Sequence, residues 1–331
     1  ARAGVAAAAG AKTGELYFFP SATTANNLAV IGVAKARAGK GRHLIVSAVE
    51  HPSVLEPARA LKNRGFEVDE VPVGPGGMVE PAVIADHLRP DTVLVSLMAV
   101  NNEVGSVQPV GAVADLISGH GALLHCDAAQ AAGKIGLQAT RQADLVTLSS
   151  HKVYGPSGAA ALVIRSRRQV TPVPLIFGGA QENGLWPGTA NTAALVGFAR
   201  ALTLAESELA ADGERIGHLM RTLEDGLFEA FPGTRRNGDP ANAVPQCLSL
   251  RFEGVKGETL LSTLTANGIG ASFGSACAAG DDSPSHVLTA LGLDAEDARR
   301  TLRFGIGRFT TREEIDYTLD VARKLSVKLK G

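Results

Sequence analysis

Short apolar runs alternate with helical patterns from the start of the chain to Asn191. This alternation predicts βαβ units and a largely parallel sheet, with ligands bound beyond the carboxyl ends of its strands. The predicted strands are Leu16–Phe19, His43–Ala48, Thr92–Val100, Ala122–Asp127, Asp144–Ser149, Ala160–Ile164 and Val173–Phe177. The predicted helices between them are Thr23–Ala38, Ser53–Asn63, Pro81–Leu88 and Val110–Ser118.

The pattern changes after Asn191. A long helical stretch covers Thr192–Ala211 and Arg215–Phe231, and a break rich in Gly, Pro and Asn follows it. The remainder predicts strands Cys247–Phe252, Gly270–Ser275 and Thr301–Ile306 and helices Gly257–Ala266, Pro284–Leu291 and Arg312–Leu329. We therefore expect a large domain over residues 1–212 and a small C-terminal α/β domain over residues 213–331.

Composition and charge narrow the class of protein. Hydrophobic residues make up 45% and charged residues 20% of the chain, a balance typical of a soluble globular protein. The formal net charge of −1 gives no positive field for nucleic acid, and no apolar run is long enough to cross a membrane. Cys126, Cys247 and Cys277 are odd in number and lack metal-ligand spacing, which favours free thiols in a reducing cytoplasm over disulfides.

Polar residues stand at the carboxyl ends of two successive predicted strands. Asp127 ends one of them, and the stretch SSHK places Lys152 just beyond the next. We expect such a lysine to be poorly solvated, and burial lowers the pKa of an amine and makes it a nucleophile. Pyridoxal 5′-phosphate (PLP) needs a lysine for its aldehyde and a carboxylate for its pyridinium nitrogen. A capping aspartate and a lysine that extends into solvent are the ordinary alternative.

Two further segments could complete a cofactor site. SATTANNLAV offers hydroxyls and backbone N–H groups where a helix begins, an arrangement that can bind phosphate, although an ordinary N-cap explains the same residues. His51 follows another strand and could stack on a flat ring, although a histidine at a strand end is more often structural.

Six motifs together resemble a known family. They are SAVEHPSVLEP, AVNNEVGSVQPV, HCDAAQAAGKIGL, SSHKVYGPSGAAALVIR, PGTAN, and SFGSAC followed by LRFGIGRFTTREEID. In this order and spacing they are similar to cysteine desulfurases of the NifS/IscS type, which are fold-type I PLP enzymes of the class V aminotransferase group. The resemblance covers essentially the whole chain. It implies a mostly parallel seven-stranded sheet flanked by helices and a smaller C-terminal domain that carries the catalytic cysteine loop.

The resemblance also implies how the cofactor is held. Lys152 would form the Schiff base, and Asp127 would pair with the pyridinium nitrogen. Gln130 would bond the phenolic oxygen, while His51 would stack on the ring and shuttle protons. The phosphate would be held by Thr23, Ser149 and His151, together with Thr189 of the neighbouring subunit of a homodimer.

Three residues would act on the substrate. Asn102 and Arg303 would hold its carboxylate, a task suited to the guanidinium fork. Cys277 would take sulfur from L-cysteine, releasing L-alanine and keeping a persulfide for a sulfur-acceptor protein. The small residues around Cys277 predict a mobile loop, whereas we interpret Cys126 and Cys247 as core residues.

The stretch GGAQENGLWPGTAN departs from the family pattern. Asn183 and Trp186 replace arginines, Ala180 replaces a glycine and Ala190 replaces a glutamate. Trp186 could pack against the partner subunit, shape the pocket entrance or be a neutral change. The family's opening segment, similar to YLDNAATTP, is absent, and we expect truncation or disorder there.

The leading hypothesis is a PLP-dependent cysteine desulfurase serving iron–sulfur assembly, tRNA thiolation or DNA phosphorothioation. The altered loop favours a specialised enzyme such as one of DNA phosphorothioation. A selenocysteine lyase and a catalytically silent PLP-binding scaffold remain as alternatives.

Overall fold

The computed structural model describes residues 1–166, 170–274 and 284–329. The chain divides into two compact units. Unit 1 comprises Ala1–Pro72, Val79–Val100 and Gln108–Leu209, and unit 2 comprises Val73–Met78, Asn101–Val107 and Ala210–Gly331. The predicted division of function, with PLP bound by residues 1–212 and the catalytic cysteine carried by residues 213–331, stays a prediction.

Unit 1 is built on a seven-stranded sheet. Its strands are β1 (Leu16–Phe19), β2 (His43–Ser47), β3 (Glu67–Val71), β4 (Thr92–Ser96), β5 (Leu123–Asp127), β6 (Leu145–Ser149) and β7 (Ala160–Ile164). They lie in the order β1-β7-β6-β5-β4-β2-β3, in which β7 is antiparallel to β1 and β6 and the other pairs are parallel. The predicted mostly parallel seven-stranded sheet is confirmed.

One of the seven predicted strands is wrong. Val173–Phe177 is not a strand, because Pro172 and Pro174 have no backbone N–H to donate to a sheet. The seventh strand is instead β3, which pairs with β2 at the sheet edge. In the second half, Gly270–Ser275 is also wrong as a strand over its described residues, where only a single bridge pairs Ser272 with Arg303.

Helices cover the sheet of unit 1. They are α1 (Arg2–Ala8), α2 (Ala22–Asn27), α3 (Val33–Arg37), α4 (Pro52–Lys62), α5 (Pro81–His87), α6 (Val110–Leu116) and α7 (Thr192–Ser207), with a π-helical turn (Leu28–Gly32) joining α2 to α3. The sequence explains where two of these helices, α7 and α4, begin. Asn191 caps α7 by accepting from the Ala194 N–H, and α4 begins with Pro52, whose missing N–H is not needed there. Apolar side chains of α2 and α4 form one core with those of β2, β4 and β7.

Unit 2 is a smaller α/β unit. Its elements are α8 (Leu209–Ala230), β8 (Arg235–Arg236), β9 (Cys247–Arg251), α9 (Gly257–Ala266), α10 (His286–Ala290), α11 (Ala295–Arg299), β10 (Thr301–Gly305) and α12 (Arg312–Leu329). The strands form an antiparallel sheet in the order β10-β9-β8. Phe252 is fully buried in its core, with its ring edge-on to Phe231 at 5.3 Å between centroids. None of the helices in the described ranges is long and apolar enough to span a membrane.

Candidate active site

The carboxyl end of β5 presents a buried carboxylate. Asp127 is the last residue of the strand and is 6% exposed. Its Oδ2 accepts a hydrogen bond from Asn26 Nδ2 at 2.7 Å, and its Oδ1 accepts from the Ala129 N–H at 2.9 Å. Gln130 lies in the turn that follows and accepts from the Lys134 ammonium. The two N–H donors fix the direction in which the Asp127 carboxylate points.

The neighbouring strand β6 leads into a single 3₁₀ turn, Ser150–Val153, that carries Lys152. The side chain of Lys152 is exposed, so the expectation of a poorly solvated lysine is wrong. The physical reason is that the turn extends past the buried part of the strand. Burial within this chain therefore gives no support to a nucleophilic role for Lys152.

Two residues beside Lys152 form a polar pair. Ser149 is buried, and its hydroxyl lies 3.2 Å from His151 Nδ1. Solvent reaches the His151 ring, but partial desolvation and then the Lys152 ammonium lower the pKa of this histidine. A largely neutral ring beside a hydroxyl can offer hydrogen bonds to an anion while adding little charge of its own.

His51 and Thr23 lie where helices of unit 1 begin. His51 is the half-buried N-cap of α4, and its Nδ1 accepts from the Ser53 N–H at 3.0 Å. Thr23 is exposed in the first turn of α2, which Ser21 caps by accepting from the Thr24 N–H at 3.2 Å. The ordinary N-cap interpretation of this segment is thus correct for Ser21, and Thr23 remains available to solvent.

Glu50 and Asn26 belong to this region, although the sequence patterns miss them. Glu50 is fully buried and accepts from the Met98 N–H. Burial, and then the charge of Asp127, raise the pKa of Glu50 to about 8. Glu50 therefore keeps its proton at neutral pH and adds no second negative charge beside Asp127. The sequence signal for Glu50 is a charged residue three positions after the end of the buried strand β2.

The predicted substrate-binding pair lies in unit 2. Arg303 on β10 donates through Nη1 to the backbone oxygen of Asn102 at 2.6 Å. This bond brings the two residues together and leaves the other guanidinium nitrogens as further donors. Both are partly buried.

The three cysteines differ in their environments. Cys126 is fully buried, which confirms it as core and raises the pKa of its thiol well above the usual value. Cys247 is only half-buried, and its thiol donates to the backbone oxygen of Glu103 at 3.1 Å, so its interpretation as a core residue is wrong. Cys247 is only half-buried because it is the first residue of β9, where the strand begins. Cys277 lies outside the described residues, between Gly274 and Pro284.

The segment that departs from the family pattern is held against unit 1. Glu182 and Asn183 adopt left-handed backbone conformations, with φ of 48° and 55°. The Glu182 carboxylate binds the Arg2 guanidinium at 2.6 Å and the Phe18 N–H at 2.9 Å, which fixes this turn.

Trp186 is half-buried and packs on Phe19 of its own chain at 5.4 Å between ring centroids. Thr189, a few residues later, is exposed.

The donors and acceptors of unit 1 match the groups of PLP. A fixed carboxylate ends β5, and an exposed amine follows the adjacent β6, beside a hydroxyl and an imidazole. The buried Asn26 Oδ1 has no hydrogen-bond partner within the part of the chain that the structure describes. In the same described ranges, no group of three or more His, Cys, Asp or Glu residues is placed to hold a metal ion. The carboxylate, the amine and the polar pair beside it fit PLP.

Comparison with known proteins agrees with this arrangement. The model of the class-V aminotransferase family matches residues 1–318. The human cysteine desulfurase is 41% identical over 321 residues, which cover 97% of this chain and 70% of that protein. A solved NifS-like protein matches with a TM-score of 0.89 at 34% identity, covering 98% of this chain and 86% of its own. DndA from Streptomyces lividans matches with a TM-score of 0.81 at 40% identity, covering 92% of this chain and 86% of its own.

These likenesses extend over nearly the whole chain, and they confirm the resemblance to NifS/IscS-type enzymes and the fold-type I architecture. The chain belongs to the class-V aminotransferase family of PLP-dependent enzymes and, within it, to the cysteine desulfurases.

Proposed function

We propose that this protein is a PLP-dependent cysteine desulfurase that converts L-cysteine to L-alanine and keeps the sulfur as a persulfide on Cys277. The observation that carries the proposal is the placement of Asp127 and Lys152 at the ends of adjacent parallel strands. The identity of 41% to a named cysteine desulfurase supports it independently.

Residues of unit 1 would hold the cofactor. Lys152 would bind it covalently, and Asp127 would accept from the protonated ring nitrogen. Its phosphate would be held by Thr23, Ser149 and His151, while Gln130 and His51 would contact the ring. When bound, PLP supplies an electron sink for bond breaking in the substrate.

Residues of unit 2 would handle the substrate. The Arg303 guanidinium, held by the Asn102 carbonyl, would bind the carboxylate of L-cysteine, and Asn102 would add its side-chain amide. The Cys277 thiolate would then attack the sulfur atom of the substrate. A new S–S bond forms and the C–S bond breaks, with the electron pair left on the carbon fragment. That fragment takes up protons and leaves as alanine, so one thiol becomes one persulfide.

We also propose an oligomeric state, a cellular compartment and a class of sulfur acceptor. The exposed Thr189 would serve the phosphate of a second copy of the chain in a homodimer. A reduced Cys277 is required, which favours the cytoplasm. The altered loop around Trp186 favours a specialised sulfur acceptor, such as one of DNA phosphorothioation, over one of iron–sulfur assembly or tRNA thiolation.

Mass spectrometry after brief exposure to L-cysteine tests the proposal. The wild type should carry one extra sulfur on the peptide that contains Cys277 and should release alanine. Cys277→Ser should still bind L-cysteine but carry no persulfide, because a hydroxyl is a far weaker sulfur acceptor than a thiolate. Cys247→Ser, which removes the half-buried thiol, is the matched control and should keep the activity. Sulfur on Cys247, or sulfide release by Cys277→Ser at the wild-type rate, would contradict the assignment and favour a selenocysteine lyase.

A further inference from the structure

Asn26 is the centre of a hydrogen-bonded chain that joins three elements of unit 1. From α2, its amide nitrogen donates to Asp127 Oδ2 at 2.7 Å and to the Ser53 hydroxyl at 2.9 Å. Ser53 Oγ in turn lies 2.8 Å from Nδ1 of His51. Asn26 is 0% exposed and Ser53 is 7% exposed, so water does not compete for these bonds. The chain therefore links the proposed partner of the ring nitrogen to the proposed ring-stacking histidine.

The proton positions in this chain follow from the chemistry of its groups. An amide nitrogen can only donate, so Asp127 and Ser53 both accept from Asn26. The opposite orientation of the amide is excluded, because it would place Asn26 Oδ1 against the Asp127 carboxylate. The Ser53 backbone N–H donates to His51 Nδ1 at 3.0 Å, so this nitrogen is an acceptor and the Ser53 hydroxyl faces it as a second donor. That nitrogen therefore carries no proton, and a neutral His51 is protonated at Nε2.

Removing the amide would leave the Asp127 carboxylate poorly held. Only the Ala129 N–H would remain of its two described donors, and it binds Oδ1, not Oδ2. Hydrogen bonds to ionised groups are stronger than neutral ones, and a buried carboxylate that loses one can rotate toward another donor. The direction of the Oδ2 lone pairs thus depends on Asn26.

We propose that Asn26 is a positioning residue that aims the Asp127 carboxylate at the cofactor's ring nitrogen and, by orienting the Ser53 hydroxyl, reinforces the Nε2-protonated form of His51 that the Ser53 N–H also favours. This inference rests on the proposed function, because it assumes that Asp127 meets the ring nitrogen of PLP. It adds a residue that acts through two others, Asp127 and Ser53.

Binding of two cofactor forms tests the first half of the proposal. The cofactor-depleted protein is titrated with PLP and with 1-deazapyridoxal 5′-phosphate, in which carbon replaces the ring nitrogen. The wild type should prefer PLP. Asn26→Ala should bind PLP about tenfold more weakly, as expected for loss of a hydrogen bond to a charged group, and should bind the analogue unchanged. Asn26→Leu, which removes the donor while filling the space, should behave in the same way.

A matched control is available in unit 2. Asn237 is also buried, and its amide nitrogen also has two partners, but both are hydroxyls, those of Ser249 and Thr301, at 3.1 and 3.4 Å. Asn237→Ala should lose stability as a buried asparagine variant does, yet keep the wild-type affinities for PLP and for the analogue.

Nitrogen-15 NMR of the wild-type imidazoles tests the second half and needs no variant to fold. His51 Nδ1 should give the resonance of an unprotonated nitrogen, and Asn26→Ala should shift it. A wild-type His51 protonated at Nδ1, or an Asn26→Ala protein with the wild-type preference for PLP, would overturn the inference. A wild type that binds PLP no better than the analogue would instead overturn the role of Asp127 in the proposed function.

Discussion

Replacing Glu50 by Gln should stabilise the protein at neutral pH and have little effect in mild acid. The side chain is fully buried and accepts from the Met98 N–H, a bond that the glutamine carbonyl can keep. Burial, and then the negative charge of Asp127, raise the pKa of Glu50 from 4.5 to about 8. Folding therefore holds a proton on a carboxyl that would otherwise release it.

The size of the effect follows from this difference in pKa. Between pH 4.5 and about 8, the unfolded chain has lost the Glu50 proton while the folded protein keeps it. The unfolded state binds fewer protons, so the free energy of unfolding falls as the pH rises through this window. At about 1.36 kcal/mol per pH unit, the loss reaches about 3 kcal/mol near neutral pH. A glutamine at position 50 does not titrate, so the variant avoids this loss in the free energy of unfolding.

Urea unfolding followed by circular dichroism measures this effect. Wild-type and Glu50→Gln proteins, both cofactor-free, are compared between about pH 5 and pH 8, and the difference in free energy of unfolding should grow steadily across that range. Glu56→Gln is the matched control, because Glu56 lies on α4 with its side chain 66% exposed, and it should change the free energy of unfolding at neutral pH far less than Glu50→Gln does. A Glu50→Gln difference that stays constant from about pH 5 to pH 8 would refute the reasoning.

Three further outcomes are expected. Asp127→Ala should keep PLP bound through Lys152 but lose nearly all turnover, because an unprotonated pyridine is a poor electron sink; near-normal desulfuration in an activity assay would show that the ring-nitrogen partner is misassigned. Phe252→Ala should lower the free energy of unfolding by about 3–5 kcal/mol in denaturant titrations, since its fully buried ring packs on Phe231, and a loss below about 1 kcal/mol would contradict this packing. Analytical ultracentrifugation should find a homodimer at assay concentration, because Thr189 is proposed to serve the second subunit; a fully active monomer would exclude that role.

The sheet of unit 1 shows what apolar patterns can and cannot predict. Strands β4, β5 and β6 are buried along their whole length, and the apolar residues that make up most of each are sufficient to predict them. Strand β3 lies at the edge and reads Glu-Val-Asp-Glu-Val, a pattern too polar to distinguish from a loop. Val173–Phe177 is mostly apolar, but Pro172 just before it and Pro174 within it have no N–H to donate to a sheet.

The candidate site could be predicted only in part, because a local sequence pattern does not encode contacts between distant residues. The placement of Asp127 and Lys152 at neighbouring strand ends could be predicted, because parallel strands bring their carboxyl ends to one edge of a sheet. Asn26 and Glu50 form hydrogen bonds with residues 101 and 48 positions away in the chain, Asp127 and Met98, and no local pattern encodes such contacts. The exposure of Lys152 depends on the length of one 3₁₀ turn, which the sequence pattern does not fix.

Borohydride reduction of the PLP-loaded protein, followed by peptide mapping, tests the central claim most directly. Reduction should bleach the yellow protein and attach the cofactor irreversibly to one peptide, the one that contains Lys152. Lys152→Ala should give no such adduct, whereas Lys62→Ala, which removes an exposed lysine on α4 of unit 1, should leave the adduct in place. A wild-type protein that takes up no PLP, or one whose reduced cofactor maps to a different lysine, would contradict the account.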